Sequence, residues 1–87
     1  MTPEQFAKWV ETIVAPVVRE PRKLSVEHVG QAGRSTLLVL RTSPSDAGRV
    51  IGRDGSIIVP LRELVSAVGT ACGRRIVLEL RDEARPQ

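Results

Sequence analysis

Aromatic residues are nearly absent from this 87-residue chain, in which Phe6 and Trp9 are the only two. Folds that bind nucleic acid by stacking bases on aromatic platforms are therefore disfavoured. The chain also has a single cysteine, Cys72, and a single histidine, His28. One of each supports neither a disulfide framework nor a cysteine–histidine metal site.

Catalytic and membrane signals are missing as well. We find no acidic pair in a recognisable constellation and no phosphate-loop lysine, so we expect no catalytic residues, no metal, no cofactor and no enzyme. The first residues are polar and no long apolar run follows, which predicts a cytoplasmic protein without a membrane partner. The length suits one domain, residues 1–81, followed by a polar tail at 82–87.

The net charge of +3 is modest but unevenly distributed. Residues 48–75 carry five arginines against Asp54 and Glu63, which already gives +3, so the rest of the chain is neutral. This concentration favours a polyanion site within that segment.

Apolar periodicity predicts six elements. Thr2, Pro3 and Gln5 start a helix with a capping box, and Pro16 should bend its last turn. Two strand-like runs follow at 24–29 and 35–41, the second apolar on both faces, and residues 75–81 alternate as a closing strand.

Two further helices are predicted between the second and third strands. Ser43 should cap the first of them, with Asp46 as its capping-box partner, and Gly52 should end it. The second should start directly after Gly55, with Pro60 distorting its first turn. The order α-β-β-α-α-β predicts an α+β fold, a three-stranded sheet with the helices packed on one face.

The two predicted helices are joined by the segment Gly52-Arg53-Asp54-Gly55. Two glycines allow a tight turn against which a phosphate backbone can lie, and the amides of the next helix should point at the same place. A second G-x-x-G, at Gly30–Gly33, lies between two strand-like runs and predicts a hairpin turn instead.

The stretch Val50-Ile51-Gly52-Arg53-Asp54-Gly55 resembles the V-I-G-x-x-G core of KH domains. The element order is similar to the bacterial (type II) KH fold. Together with the first helix, the hairpin and the closing strand, over roughly residues 3–81, the chain resembles the small bacterial single-KH-domain RNA-binding proteins (KhpA-like).

That resemblance implies an RNA chaperone or post-transcriptional regulator, connected with cell elongation and division, that binds short single-stranded RNA. It also implies a homodimer, or a heterodimer with a larger KH-containing RNA-binding protein. Leu38 or Leu40 would form the floor of the apolar groove. The RNA-binding residues implied by position are Arg49, Val50, Ile51, Gly52, Arg53, Asp54, Gly55, Ser56 and Ile58.

Asp54 departs from the family pattern, because its negative charge repels phosphate at a position that is often basic or polar. It could instead cap the next helix. The departure leaves open a KH-fold protein-interaction module that does not bind RNA. A helix-turn-helix DNA reader built from residues 44–67 is also possible, although two glycines and Pro60 fit it poorly.

Overall fold

The structure is a computed structural model that describes residues 1–33 and 35–82. Its elements confirm the predicted order. They are α1 (Pro3–Val14), β1 (Ser25–Ala32), β2 (Ser35–Thr42), α2 (Pro44–Ile51), α3 (Ile58–Ala71) and β3 (Arg75–Asp82), with 3₁₀ turns at Ala15–Val17, Pro21–Lys23 and Arg53–Gly55. The closing strand thus includes the first residue of the predicted tail, and residues 83–87 lie outside the described residues.

The first helix begins as its sequence predicts. The Thr2 hydroxyl accepts a hydrogen bond from the Gln5 amide at 3.1 Å, and the Gln5 side chain accepts one from the Thr2 amide at 2.8 Å. Regular helix ends at Val14, and Pro16 lies in the 3₁₀ turn that follows, because proline has no amide hydrogen to donate. The capping box and the change at Pro16 are both confirmed.

The three strands form one sheet in the order β1-β2-β3. β1 and β2 are antiparallel, whereas β2 and β3 are parallel because α2 and α3 carry the chain back to the other end of the sheet. The predicted turn at Gly30–Gly33 is wrong in extent. Pairing continues to Ala32 and Ser35, so Gly30 belongs to the strand beside a bulge, and of the predicted turn only Gly33 lies beyond the strand.

All three helices cover one face of the sheet, as predicted. The core on that face contains side chains from every helix and strand. Its fully buried members are Phe6, Val10, Leu38, Leu40, Val50 and Val65.

The second strand is buried on both faces, which confirms its double apolar pattern. Leu38 and Leu40 lie in the core, while Val39 points to the face without helices and is also fully buried. Val39 lies in register between Glu27 and Glu79, and each of these carboxylates pairs with an arginine, at 3.5 and 2.8 Å. These long side chains exclude water from Val39.

The helix pair α2–α3 is part of a β-α-α-β unit whose two strands are direct neighbours in the sheet. A free-standing helix-turn-helix has no such strands. Pro60 is the third residue of α3, where an amide has no helical partner in any case, and regular bonding starts when Leu61 donates to Ile57 at 3.1 Å. The predicted distortion of the first turn is replaced by a later start of α3, at Ile58, where Pro60 fits without the loss of a helical bond.

Candidate functional site

The chain passes from α2 to α3 through a compact loop at residues 52–57. Gly52 leaves α2 with φ 74° and ψ 171°, Asp54 has φ 54°, and Gly55 has φ 78°. Three of the loop's amides are used internally: Gly55 donates to Gly52, Ser56 to Arg53 and Ile57 to Ile51, over 2.9–3.2 Å. The loop is therefore held by its own backbone.

Both glycines are required by the loop itself, before any ligand is considered. A Cβ on Gly52 would lie 2.9 Å from the Ile57 amide nitrogen and 2.7 Å from the Ser56 hydroxyl. A Cβ on Gly55 would lie 3.1 Å from a Val59 methyl group. Any other residue would also be strained at these positive φ angles. The two glycines therefore allow the loop to be compact, because side chains at these positions would crowd its own residues.

The helix after the loop begins later than the sequence suggested. α3 starts at Ile58, so its first amides are not at Gly55, and the expected direct alignment of the helix end with the loop is wrong. Asp54 makes no capping bond to α3, whose cap position is Ile57. Asp54 tolerates the left-handed backbone at the centre of the loop, a conformation that aspartate adopts more readily than most residues.

The side chains that the loop presents to solvent are polar. Arg53, Asp54 and Ser56 are exposed, and no ion pair within residues 1–33 and 35–82 involves Arg53 or Asp54. Ile51, the last residue of α2, is 40% exposed and supplies the apolar part of the same surface. The cation of Arg53, the hydroxyl of Ser56 and the apolar side chain of Ile51 thus lie within six consecutive residues, and all three side chains are exposed.

The predicted apolar residues divide into exposed and buried sets. Val50 is fully buried and Ile58 is 5% exposed, so both lie in the core and support the loop from below. Leu38 and Leu40 are fully buried beneath the helices. Their predicted role as the floor of an open groove is wrong, because the helices cover that face of the sheet.

Arg49 is held by a buried carboxylate. Its Nε lies 3.3 Å from Oδ1 of Asp46, which is only 1% exposed. The Asp46 carboxylate also accepts the backbone amides of Arg19 and Glu20, at 3.0 and 2.9 Å, and a bond from the Ser43 hydroxyl at 3.3 Å.

These bonds decide the charge state of Asp46 and its place in the fold. The amide of Arg19 contributes most to lowering the pKa of Asp46, with the Glu20 amide, Ser43 and Arg49 acting in the same direction against desolvation. The predicted capping box at Ser43 is wrong: Ser43 makes no side-chain cap bond. Asp46 instead fastens the segment after α1 to the first turn of α2.

The basic segment seen in the sequence is divided in space. Arg74 and Arg75 follow the far end of α3, about 21 Å from the loop for a helix of 14 residues. Arg62 donates from Nε to the Leu78 carbonyl of β3 at 3.2 Å. Only Arg49 and Arg53 remain near the loop, and Asp46 and Asp54 balance them formally.

An apolar cleft opens beside the loop, between the end of α1 and the start of α3. Its volume is about 340 Å³. Ile13, Ile57 and Leu64 are 36%, 39% and 46% exposed at this cleft. It is lined by Ile13, Val14, Val17, Val50, Ser56, Ile57, Pro60, Leu61 and Leu64. Ile13 and Leu64 recur at helical spacing with the buried residues of α1 and α3, so their positions in the sequence do not indicate the cleft.

Among the described residues there is neither a cluster of metal ligands nor a membrane-spanning helix. No group of three or more histidine, cysteine, aspartate or glutamate side chains there could hold a metal ion. No described helix is long and apolar enough to cross a membrane.

Comparison with known proteins points to one family. The family described as "KhpA/KhpB, KH domain" matches residues 7–80. "RNA-binding protein KhpA" of Borreliella burgdorferi is 37% identical over 73 residues, which cover 84% of this chain and 88% of that protein. The Aquifex aeolicus protein of the same name is 32% identical over 71 residues, covering 82% and 89%. With the α-β-β-α-α-β order and the glycine loop between α2 and α3, the chain belongs to the KhpA/KhpB family of KH domains.

Proposed function

We propose that this protein binds single-stranded RNA at the loop between α2 and α3. The observation that carries the proposal is the compact glycine loop of a KH domain, with Arg53 exposed at its tip. The two relatives described above, most of whose length this chain covers, bear the name RNA-binding protein KhpA. KH domains hold about four nucleotides of backbone at such a loop. We propose a single domain over residues 1–81 and a tail over 82–87, with β3 extending one residue into the tail.

Each loop residue has a distinct part in this proposal. Gly52 and Gly55 keep the backbone compact so that phosphates approach it, and Arg53 contacts a phosphate by a charge-assisted hydrogen bond. Ser56 offers a hydroxyl, and Ile51 offers an apolar surface to a base. The proposed RNA-binding set is Arg49, Val50, Ile51, Gly52, Arg53, Asp54, Gly55, Ser56 and Ile58, of which Val50 and Ile58 act from the core.

Binding should be weak and tolerant of sequence. Arg49 is engaged by Asp46, and Asp54 opposes Arg53, so the loop offers few free cations. With about two phosphate contacts, the dissociation constant should be micromolar or weaker. The logarithm of the binding constant should fall with the logarithm of the salt concentration with a slope of about 0.7 per phosphate contact. Such binding suits an RNA chaperone or post-transcriptional regulator acting in the cytoplasm, with a role in cell elongation, and requires no catalytic group.

Fluorescence anisotropy tests this proposal directly. Short single-stranded RNA should bind, whereas a DNA hairpin of the same length should bind more weakly at equal salt. Preference for duplex DNA would support a helix-turn-helix DNA reader. Absence of binding to both nucleic acids would support a KH-fold protein-interaction module, which the balanced charge around the loop also fits.

We further propose that the apolar cleft is a contact between subunits. A homodimer, or a heterodimer with a larger KH protein, would cover Ile13, Ile57 and Leu64, which a monomer leaves partly in water. Ile57 is the last residue of the loop, so the loops of two subunits would lie near the contact. The apolar residues on the second face of β2 do not contribute to this contact, because Val39 is already buried within the monomer.

Analytical ultracentrifugation over a micromolar concentration series measures this association. Leu64→Glu should shift the protein to monomer, because a charge would have to enter the apolar cleft. Val77→Glu is the matched control: Val77 is 47% exposed, like Leu64 at 46%, but it lies in β3 rather than at the cleft. A wild-type protein that is monomeric at every concentration would contradict the dimer.

A further inference from the structure

A second basic surface lies at the segment that joins α1 to β1. Pro21–Lys23 form a 3₁₀ turn, closed by bonds from the Lys23 amide to the Glu20 carbonyl and from the Leu24 amide to the Pro21 carbonyl, at 2.9 and 3.2 Å. The turn surrounds an open hollow of about 360 Å³, lined by Arg19, Glu20, Pro21, Arg22 and Lys23. We call residues 19–23 the linker.

The linker's three cations face solvent. Arg19, Arg22 and Lys23 are exposed, and none takes part in an ion pair with the side chains that the structure describes, those of residues 1–30, 33 and 35–81. The one carboxylate of the linker, on Glu20, accepts a hydrogen bond from the Ser45 hydroxyl of α2 at 3.1 Å. Glu20 keeps its negative charge, which also acts on Lys23, so the three cations leave the linker with an excess of two positive charges.

The linker is fastened to the helix that leads to the glycine loop. The Arg19 and Glu20 amides bind the Asp46 carboxylate, and Arg49 binds the same carboxylate one turn further along α2. α2 has eight residues, so its length from the linker to the loop is about 12 Å. The linker cations thus lie at the start of α2, while Arg49 lies on its last turn and Arg53 in the loop that follows it.

We propose that the linker is a second phosphate-binding site, which holds the part of an RNA strand that extends beyond the glycine loop. The proposal rests on RNA binding at the loop. It supplies what the loop lacks, since Arg49 and Arg53 are balanced by Asp46 and Asp54, whereas the linker has three exposed cations against one carboxylate, on Glu20. An RNA strand is favoured over an acidic peptide because only the length of α2 separates the linker from the loop that defines the family.

The test compares two RNA lengths. Arg22→Ser/Lys23→Ser removes two exposed linker charges, and anisotropy is measured with an RNA of about four nucleotides, the length that a KH loop holds, and with one about three times as long. The longer RNA should bind the variant about tenfold more weakly near 0.15 M salt, with a salt slope lower by about 1.4. The short RNA should bind the variant and the wild type equally.

A matched control removes the same charge elsewhere. Lys8 lies on α1, and Arg75 lies at the start of β3, the end of the sheet away from α2. Lys8→Ser/Arg75→Ser should therefore bind both RNAs almost as the wild type does. Equal loss in the two double variants would show a net-charge effect and overturn the linker site.

Unchanged binding of the long RNA by Arg22→Ser/Lys23→Ser would overturn it too, even with RNA binding at the loop intact. If the wild type bound neither RNA, the proposed function would fail together with the linker site.

Discussion

The chain contains two G-x-x-G segments, and they have little in common beyond their letters. In Gly30–Gly33 only the last glycine has a positive φ, of 60°, and a Cβ on it would meet nothing within 4 Å. In Gly52–Gly55 both glycines have positive φ, and a Cβ on either would crowd a neighbouring residue.

The difference comes from the flanking elements. Strand pairing continues through residues 30–32, so most of the first segment belongs to the end of a strand. Helices on both sides of the second segment require the chain to pass from one helix to the next within a few residues. A short glycine motif therefore acquires structural meaning only from the elements that it connects.

Alanine substitution should separate the two segments most strongly. Gly52→Ala should lower the free energy of unfolding by about 2 to 3 kcal/mol, because ψ of 171° at positive φ is open only to glycine and the methyl group meets the Ile57 amide. Gly33→Ala should cost only about 1 kcal/mol, the cost of the left-handed backbone alone. Urea denaturation followed by circular dichroism measures both values.

Equal destabilisation by the two alanines would contradict the comparison. So would a Gly52→Ala protein that unfolds at the wild-type urea concentration. Either result would mean that the loop adjusts its backbone at little cost.

Much of the fold could be predicted because its signals are local. Thr2 and Gln5 are three residues apart, and the apolar alternation of β3 concerns one strand, so each is visible in a short window. Pro60 also acts locally, because a proline is tolerated only near the start of a helix, and α3 starts two residues before it.

The rest could not be predicted because it depends on contacts between distant parts of the chain. Asp46 satisfies the usual pattern of a capping box, but amides 26 and 27 residues earlier bind it instead. The burial of Leu38 and Leu40, and the opening of the cleft at Leu64, depend on how helices lie on the sheet. Residue spacing along the chain does not contain that information.

The first turn of α2, the helix that leads to the glycine loop, is anchored to a distant segment by Asp46, whereas strand pairing holds the hairpin end. Asp46→Asn should therefore lower the Tm by several degrees at neutral pH, because it removes the charge from the bonds to the Arg19 and Glu20 amides and to Arg49. Thermal melts followed by circular dichroism measure the difference between the two proteins.

The pH dependence of that difference is fixed by the sign of the pKa shift. The folded protein lowers the pKa of Asp46 below its ordinary 3.8, so the stabilisation is complete above that value and is lost as the pH falls towards the folded pKa. The gap in Tm between wild type and variant should close below pH 3.8. A gap that is constant down to lower pH would show that Asp46 stabilises the fold without its charge.

The charge of Asp54 should have a smaller effect, on RNA affinity. Asp54→Asn keeps a residue that tolerates φ of 54° and removes the repulsion of phosphate, so RNA binding should tighten about threefold. Asp54→Lys should tighten it further and lower the stability by about 1 kcal/mol, since lysine is strained in the left-handed region. Anisotropy titrations and urea melts measure the two effects, and unchanged affinity in both variants would mean that the loop does not face the RNA.

The smallest expected effect concerns a third glycine beside the loop. Gly48 lies within α2, and a Cβ on it would meet nothing within 4 Å. Gly48→Ala should raise the free energy of unfolding by about 0.5 to 1 kcal/mol, because alanine favours the helix, and should leave the loop unchanged. Destabilisation measured by urea melts would show that α2 needs a glycine there for a reason that its open surroundings do not suggest.

The central claim, that the loop between the helices binds RNA and the hairpin segment does not, can be tested by writing the same letters into both segments. Arg53→Asp makes the loop G-D-D-G, and Gln31→Asp/Ala32→Asp makes the hairpin segment G-D-D-G. Anisotropy with a short single-stranded RNA should show about tenfold weaker binding or worse for the loop variant and near wild-type binding for the hairpin variant, since charge reversal at Arg53 replaces a phosphate contact with repulsion. Equal affinity of the two variants, or greater loss in the hairpin variant, would contradict the account.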